Sequence, residues 1–177
     1  VDIIDVYMLN NLTYAEACEK LFEAANISYS FGEKGVKTKH QYRYPKEVQC
    51  TDKSMVIYYL GLRGISPEVI DYLDIRQDEH GNCVFNYYDT NDVLTTVKYR
   101  PTHSVDKKRG ELKTWCQKDA DTSPVLFNMN RINTSMPLLI CEGEIDCAAA
   151  IECGYRNSVS VPFGAGNFTW IEECWDW

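Results

Sequence analysis

Residues 137–161 constrain the fold more than any other part of this sequence. The apolar run PLLIC ends at Glu142, an Ala-rich stretch IDCAAAIEC follows, Gly154 lies where a left-handed helix cap is common, and SVSVP is apolar again. A strand, a helix and a second strand joined by short connections predict two parallel strands covered by a helix. We expect a buried strand at residues 138–141 and its parallel partner at residues 159–161.

The acidic residues after the first of these strands indicate a ligand site. Glu142 lies at the carboxyl end of the predicted strand, where open parallel sheets bind ligands, and Gly143 leaves room for close approach. Asp146 lies at the start of the helix, where the helix dipole favours negative charge. Carboxylates in this position suit Mg²⁺, although Glu142 and Asp146 could also serve only to cap the helix.

Charge is unevenly distributed along the chain, whose formal net charge is −8. Residues 98–118 carry seven Lys and Arg against Asp106 and Glu111, whereas residues 138–177 carry seven acids against Arg156 alone. This pattern predicts a basic surface for phosphates beside an acidic pocket for a cation. The alternative is that the basic loops only solvate the surface.

Upstream, the periodicity predicts three helices and a β-hairpin. The helix at residues 12–27 starts with a capping box of Thr13 and Glu16, a second at residues 51–64 has Thr51 as N-cap, and a third at residues 66–73 has Ser66 as N-cap. CVFNYY and VLTTVKYR flank DTND as a hairpin. Because side chains alternate along a strand, Lys98 and Arg100 share one face and are expected to point toward solvent or a ligand. Asn167 is expected to cap a last helix.

The eight cysteines indicate neither a disulfide framework nor a zinc ribbon, because the chain contains no C-x-x-C pair. The sequence shows no secretory signal and no apolar run of membrane-spanning length. Reduced thiols in the cytoplasm and no membrane partner are therefore expected. The chain begins at Val1 and ends in an aromatic-rich stretch, and we expect it to be part of a larger protein.

Residues 138–166, LLICEGEIDCAAAIECGYRNSVSVPFGAG, resemble the first half of a TOPRIM domain of the phage primase-helicase and Twinkle-type family, with its E-G-E-x-D motif. Upstream, YYLGLRGISPEVIDYLDI resembles the Y-L-x-x-R-G-I-S stretch of the bacterial primase core, VFNYYDTNDVLTTVKYRP resembles the hairpin that follows it, and PVLFNMNRI resembles the element before the TOPRIM strand. The resemblance covers about residues 51–177.

The resemblance implies an α/β fold, in which an α+β primase subdomain at residues 51–134 precedes a partial TOPRIM parallel sheet at residues 135–177. Residues 1–50, which the resemblance does not cover, are expected to be an N-terminal helix and a basic linker of unassigned function. The implied activity is template-directed primer synthesis from nucleoside triphosphates on single-stranded DNA, in a bacterial cell or a phage-infected host, with a fused or associated replicative helicase. By the same resemblance, Glu142 binds Mg²⁺ or assists proton transfer and Asp146 orients the site. The implied phosphate-binding residues are Lys98, Arg100, Lys107, Lys108, Arg109 and Lys113.

The family also carries a second acidic motif, D-x-D, which is expected to follow residue 177 and to supply the further Mg²⁺ ligands. The zinc module and the helicase Walker A loop of the family are not found in these 177 residues. Two alternatives therefore stay open: a Twinkle-like domain that binds single-stranded DNA without synthesis, and another TOPRIM enzyme such as a topoisomerase or a nuclease. The upstream LRGIS stretch and the hairpin favour a primase or a Twinkle-like domain over another TOPRIM enzyme.

Overall fold

The structure is a computed structural model that describes residues 12–25, 45–120, 125–164, 166, 170–171 and 174. The chain divides into two compact units, Val1–His40 and Gln41–Trp177. Most of the basic stretch before residue 46 and the expected cap Asn167 lie outside the described residues. The predicted domain boundaries at residues 50 and 134 stay predictions. In the described part of the chain, no helix has the length and apolar character needed to cross a membrane.

The first unit contains helix α1, Tyr14–Ala24. Its predicted capping box is confirmed: the Thr13 hydroxyl accepts a hydrogen bond from the Glu16 backbone N–H, and the Glu16 carboxylate accepts one from the Thr13 N–H at 2.8 Å. These two bonds satisfy backbone donors that have no partner within the helix, so the local sequence alone sets where α1 begins.

The second unit begins with two short helices, α2 at Ser54–Gly61 and α3 at Pro67–Tyr72. The predicted cap Ser66 is confirmed. Thr51 as cap of α2 is wrong, because the helix starts later and the Asp52 carboxylate accepts the Ser54 N–H at 2.9 Å instead. An aspartate is as good a cap acceptor as a threonine, and it lies one residue closer to the helix.

A four-stranded antiparallel sheet follows, with its strands in chain order: β1 Arg76–Gln77, β2 Cys83–Tyr88, β3 Leu94–Arg100 and β4 Trp115–Cys116. The predicted hairpin of β2 and β3 is confirmed. In its register Phe85 lies opposite Lys98 and Tyr87 lies opposite Thr96. Because opposed residues of an antiparallel pair share a face, Lys98 projects from the same face as these two core aromatic residues.

The parallel unit is also confirmed: β5 Leu139–Cys141 and β6 Ser158–Ser160 are parallel neighbours, joined by helix α4 at Glu144–Glu152. Gly154 follows α4 with φ 95°, as expected of a left-handed cap. The prediction that the first strand is buried is wrong, since Leu139 is 42% exposed and Ile140 is 48% exposed. Among the described strands β5 pairs only with β6, which leaves its other edge without a strand to cover it.

Aromatic packing joins the two sheets. Phe127 forms a backbone bridge to Ser160. Its ring packs edge-on against Phe85, with 5.7 Å between centroids, and at a tilt against Tyr87, with 5.4 Å between centroids. All three rings are fully buried. The hairpin is thus held against the parallel unit, and β3 is brought next to the start of α4.

Candidate nucleic-acid and metal site

The acidic end of the site lies where the sequence predicted it. Glu142 directly follows β5, and Asp146 lies in the first turn of α4. Both side chains are exposed, and within the described residues neither carboxylate has a hydrogen bond or an ion pair. Two uncommitted carboxylates at the carboxyl edge of a parallel sheet and at a helix N-terminus can receive a cation without first breaking a protein contact.

Gly143 has a steric role between these two acids. A Cβ atom built at this position would lie 3.3 Å from Asp146 Oδ2, closer than most real Cβ contacts. The backbone φ of Gly143 is −145°, which any residue can adopt, so conformation does not require glycine here. The sequence led us to expect room for a ligand beside Gly143; in the structure the Asp146 carboxylate lies in that space.

Glu144, the middle acid of the motif, is buried. It is 3% exposed, its Oε1 atom lies 2.5 Å from Lys98 Nζ, and the Tyr87 hydroxyl donates a hydrogen bond to the same oxygen. Burial, reinforced by the negative charge of Glu144, raises the pKa of the Tyr87 hydroxyl well above its usual value, so Tyr87 remains a donor. Glu144 is therefore committed to protein contacts.

The predicted orientation of Lys98 toward solvent or a ligand needs correction. Lys98 is 8% exposed, and besides Glu144 it binds the Pro162 carbonyl oxygen at 2.7 Å. The physical reason is the strand register, because its face of β3 is the one that packs on the parallel unit. A phosphate could reach this ammonium only in competition with a buried carboxylate.

Arg100 and Lys113 lie together in a basic pocket. This pocket is a cavity of about 410 Å³ lined by ten residues, none of them acidic, and its lining includes Arg63 and His103. The Tyr59 side chain organises two of the cations: Arg63 lies 4.1 Å from its ring centroid, and Arg100 Nε donates to its hydroxyl at 3.2 Å. A phosphate is the natural ligand of a cavity with several convergent cations and no carboxylate.

Two of the remaining predicted basic residues, Lys108 and Arg109, lie elsewhere. They belong to a short 3-10 helix, Lys107–Arg109, and neither of the two lines the basic pocket. Lys108 is exposed, and Arg109 Nε lies 3.5 Å from Asp106 Oδ2 in a surface pair. The structure therefore does not bring Lys108 and Arg109 together with Arg100 and Lys113, and the side chain of the predicted Lys107 lies outside the described part of the chain.

Strand β3 connects the acidic end to the basic pocket. Lys98 contacts Glu144, which is two residues from both Glu142 and Asp146, and Arg100 projects from the same strand face two residues further on. Two residues of an extended strand span about 7 Å. Lys98, which contacts the acidic motif, and Arg100, a cation of the basic pocket, are therefore neighbours on β3.

The sequence reasoning missed Arg63, Tyr59 and the burial of Glu144. Arg63 belongs to the LRGIS stretch that resembles the bacterial primase core, so this resemblance could have indicated Arg63 as a site residue. The sequence contains no such signal for Glu144, because a glutamate two residues from Glu142 looks the same in a sequence whether its carboxylate is buried or exposed. Among the described residues, no group of three or more His, Cys, Asp or Glu side chains is arranged to hold a metal ion.

Comparison with known proteins gives both sequence and structural relatives. No family model matches the chain. In sequence, the chain is 29% identical over 110 residues to the chloroplastic/mitochondrial Twinkle homologue of Arabidopsis thaliana, a match that covers 60% of this chain and 14% of that protein.

Solved primases share the fold. The zinc-binding and RNA polymerase domains of Aquifex aeolicus primase match with a TM-score of 0.57 and 17% identity, over 99% of this chain and 55% of that one. The E. coli primase catalytic core matches with a TM-score of 0.52 and 16% identity, over 70% of this chain and 52% of that one. The chain thus spans about half the length of these primase structures. The resemblance drawn from the sequence is confirmed: this chain has the fold of primase catalytic cores and is similar in sequence to a Twinkle-type protein.

Proposed function

We propose that this chain is part of the catalytic core of a DNA primase, in which a 3′-hydroxyl attacks the α-phosphate of a nucleoside triphosphate and pyrophosphate leaves. One observation carries the proposal: β3 carries both Arg100, which lines a cavity with three cations and no acid, and Lys98, which contacts the glutamate between the two exposed carboxylates of Glu142 and Asp146. Nucleotidyl transfer needs this combination, a positive surface for phosphates beside negative groups that can hold a cation.

The basic pocket supplies the binding part of this function. Arg63, Arg100 and Lys113 would hold phosphates of the template or of the incoming nucleotide, and Tyr59 keeps the two guanidinium groups in place. Because guanidinium groups bind phosphate oxygens with paired donors, this pocket orients its ligand as well as attracting it. Lys108 and Arg109 would add only long-range attraction.

Glu142 and Asp146 fit Mg²⁺, which agrees with the partial TOPRIM domain proposed for residues 135–177 from the sequence resemblance. Mg²⁺ in phosphate-processing sites takes one or two carboxylates and completes its shell with water and phosphates. Glu142 would hold the ion, with Asp146 adding negative charge beside it, and the ion would supply compensation for the charge of the phosphates. Glu144 does not belong to this set, since Lys98 and Tyr87 occupy it.

The test compares three proteins: the 177-residue chain, the longer parent protein, and the parent with Glu142→Gln. Primer formation is measured on a single-stranded template with Mg²⁺ and all four nucleotides. The parent should synthesise primers, whereas Glu142→Gln removes the charge, keeps the shape and should abolish synthesis while single-stranded DNA binding stays near the parent value. The 177 residues alone should not synthesise, because two carboxylates leave most of the ion to water. Synthesis by the Glu142→Gln parent would contradict the assignment of the metal site.

A second candidate function is single-stranded DNA binding without synthesis, as a domain of a Twinkle-type helicase. The similarity to the Arabidopsis Twinkle homologue favours it. The same assay separates the two candidates, since this domain would bind the template through the basic pocket and yield no primer from the unmodified parent. Under the first candidate function, the proposed partners of the parent are single-stranded DNA, nucleoside triphosphates and a helicase. Under the second, they are single-stranded DNA and the helicase.

A further inference from the structure

The surroundings of Lys98 point to a role other than phosphate binding. Its ammonium contacts two segments that are distant in sequence: the first turn of α4, through Glu144 Oε1 at 2.5 Å, and the loop after β6, through the Pro162 carbonyl oxygen at 2.7 Å. The Phe163 ring covers the same ammonium at 5.9 Å from its centroid. Lys98 is thereby enclosed by protein groups.

The two segments that Lys98 joins lie on either side of Glu142. Glu144 is two residues after it, and a Cβ atom built at Gly164 would lie 3.6 Å from Glu142 Oε1, so the loop after Pro162 passes directly against the Glu142 carboxylate. Neither segment is tied to Glu142 itself by a hydrogen bond among the described residues. The position of this exposed carboxylate therefore depends on how firmly its two neighbours are held.

We propose that Lys98 is a positioning residue, which clamps the first turn of α4 to the loop after β6 and thereby fixes the Glu142 carboxylate. Glu144 binds Lys98 and accepts a hydrogen bond from Tyr87. The middle acid of the E-G-E-I-D motif thus positions its neighbours and does not bind the cation. The inference rests on the proposed function only in assigning a metal-binding role to Glu142. The clamping role of Lys98 can be tested without an assay of primer synthesis.

Electrostatics support the assignment. Burial of a lysine or of a glutamate is costly unless an opposite charge compensates it, and the contact between Lys98 and Glu144 supplies that compensation for both. Binding of a phosphate by Lys98 would leave Glu144 as an unpaired buried carboxylate. Arg100, two residues along the same strand face, has no carboxylate partner among the described residues and is the better phosphate ligand.

The experiment uses the 177-residue chain with Lys98→Met, which removes the charge and keeps the apolar stem, and Arg100→Met as the matched control from the same strand face. Two backbone amides report on the clamp by hydrogen exchange: Val161 N–H, which binds the Cys141 carbonyl at 3.1 Å, and Cys147 N–H, which binds the Gly143 carbonyl at 3.0 Å. Binding of single-stranded DNA is measured against salt concentration in parallel.

For Lys98→Met, we expect both amides to exchange about tenfold faster, the factor that accompanies loss of a charge-assisted hydrogen bond, with no change in the salt slope of DNA binding. Arg100→Met should lower the slope by about 0.7 and leave both amides as in the unmodified chain. A slope loss in Lys98→Met equal to that of Arg100→Met, or unchanged exchange at both amides, would overturn the proposal.

A second variant covers the case in which Lys98→Met does not fold. Lys98→Met combined with Glu144→Gln leaves no unpaired buried charge and should be more stable than Lys98→Met alone. It still lacks the bond to Pro162, so the Val161 amide should exchange faster with an unchanged salt slope, and the criteria for rejection stay the same.

In the parent protein, this double variant should lower kcat for primer synthesis with KM for nucleotide unchanged, whereas Arg100→Met should raise KM. A merely structural role would leave kcat unchanged at temperatures well below unfolding. If the unmodified parent does not synthesise, the proposed function fails, and amide exchange and salt slope still decide the role of Lys98.

Discussion

Neutralisation of the basic pocket gives the sharpest test of the proposed binding of single-stranded DNA. The triple variant Arg63→Gln, Arg100→Gln and Lys113→Gln removes the three permanent charges that line the 410 Å³ cavity. Each phosphate contact to a single strand contributes about 0.7 to the slope of log affinity against log salt concentration, so the triple variant should lose about 2 from this slope. DNA binding releases counterions from each neutralised phosphate, which is the physical source of the effect.

The magnitude can be worked out over a fourfold change of salt. Between about 50 and 200 mM, a slope difference of about 2 means that the unmodified chain loses about 20-fold more affinity than the triple variant. The assay is fluorescence anisotropy with a labelled oligonucleotide, with both proteins measured at the same pH. Both proteins should approach the same weak affinity at high salt, because the lost contacts are electrostatic.

The control is a second triple variant with the same change in net charge, Lys118→Gln, Arg131→Gln and Arg156→Gln. These three side chains are exposed and lie outside the basic pocket. The control should keep the slope within about 0.5 of the unmodified chain, since long-range charge is largely screened at these salt concentrations. An unchanged slope in the pocket variant, or an equal loss in the control, would refute the assignment of the pocket as the phosphate site.

Three further outcomes follow from the structure. Gly143→Ala should lower the free energy of unfolding by about 0.5–1 kcal/mol, because alanine is a poorer N-cap than glycine and the new Cβ meets only the end of the Asp146 side chain. It should also reduce primer synthesis by the parent, and a much larger loss of stability would show that the backbone had to move. Phe127→Ala should lower the free energy of unfolding by about 3–5 kcal/mol in urea titrations, and a loss below about 1 kcal/mol would contradict its place between the two sheets. Hydrogen bonds from the backbone N–H and the hydroxyl of Ser66 lower the pKa of the Glu152 carboxyl group in the folded chain. The stability that this contact contributes is therefore fully present above the pKa that Glu152 has in the unfolded chain, and it is lost as the pH falls through the lower pKa of the folded chain. The unmodified chain should lose more stability than Glu152→Gln in acid melts, and parallel pH profiles would count against this link between α3 and α4.

Local patterns in the sequence were enough for most of the secondary structure. The capping box of α1, the Ser66 cap of α3, the hairpin and the parallel β5–α4–β6 unit all depend on residues close together in the chain, such as a cap side chain three residues from its donor. The position of Glu142 at the carboxyl end of β5 follows from the same local reading. So does the charge contrast between the basic and acidic parts of the chain.

Tertiary structure decided which charged residues are available. Lys98 and Arg100 have the same charge and lie on the same strand face, so the sequence gives no reason to distinguish them. In the structure, the contact of Phe127 with Tyr87 packs the Lys98 end of that face onto the parallel unit. Lys98 consequently pairs with Glu144, while Arg100 reaches the open cavity formed with Arg63. The exposure of β5 likewise depends on which strands lie beside it. Whether a charged side chain is available depends on its desolvation by segments that are distant in the chain, and the local sequence carries no information about them. Only the folded structure therefore distinguishes Lys98, which is paired with a carboxylate, from Arg100, which lines an open cavity.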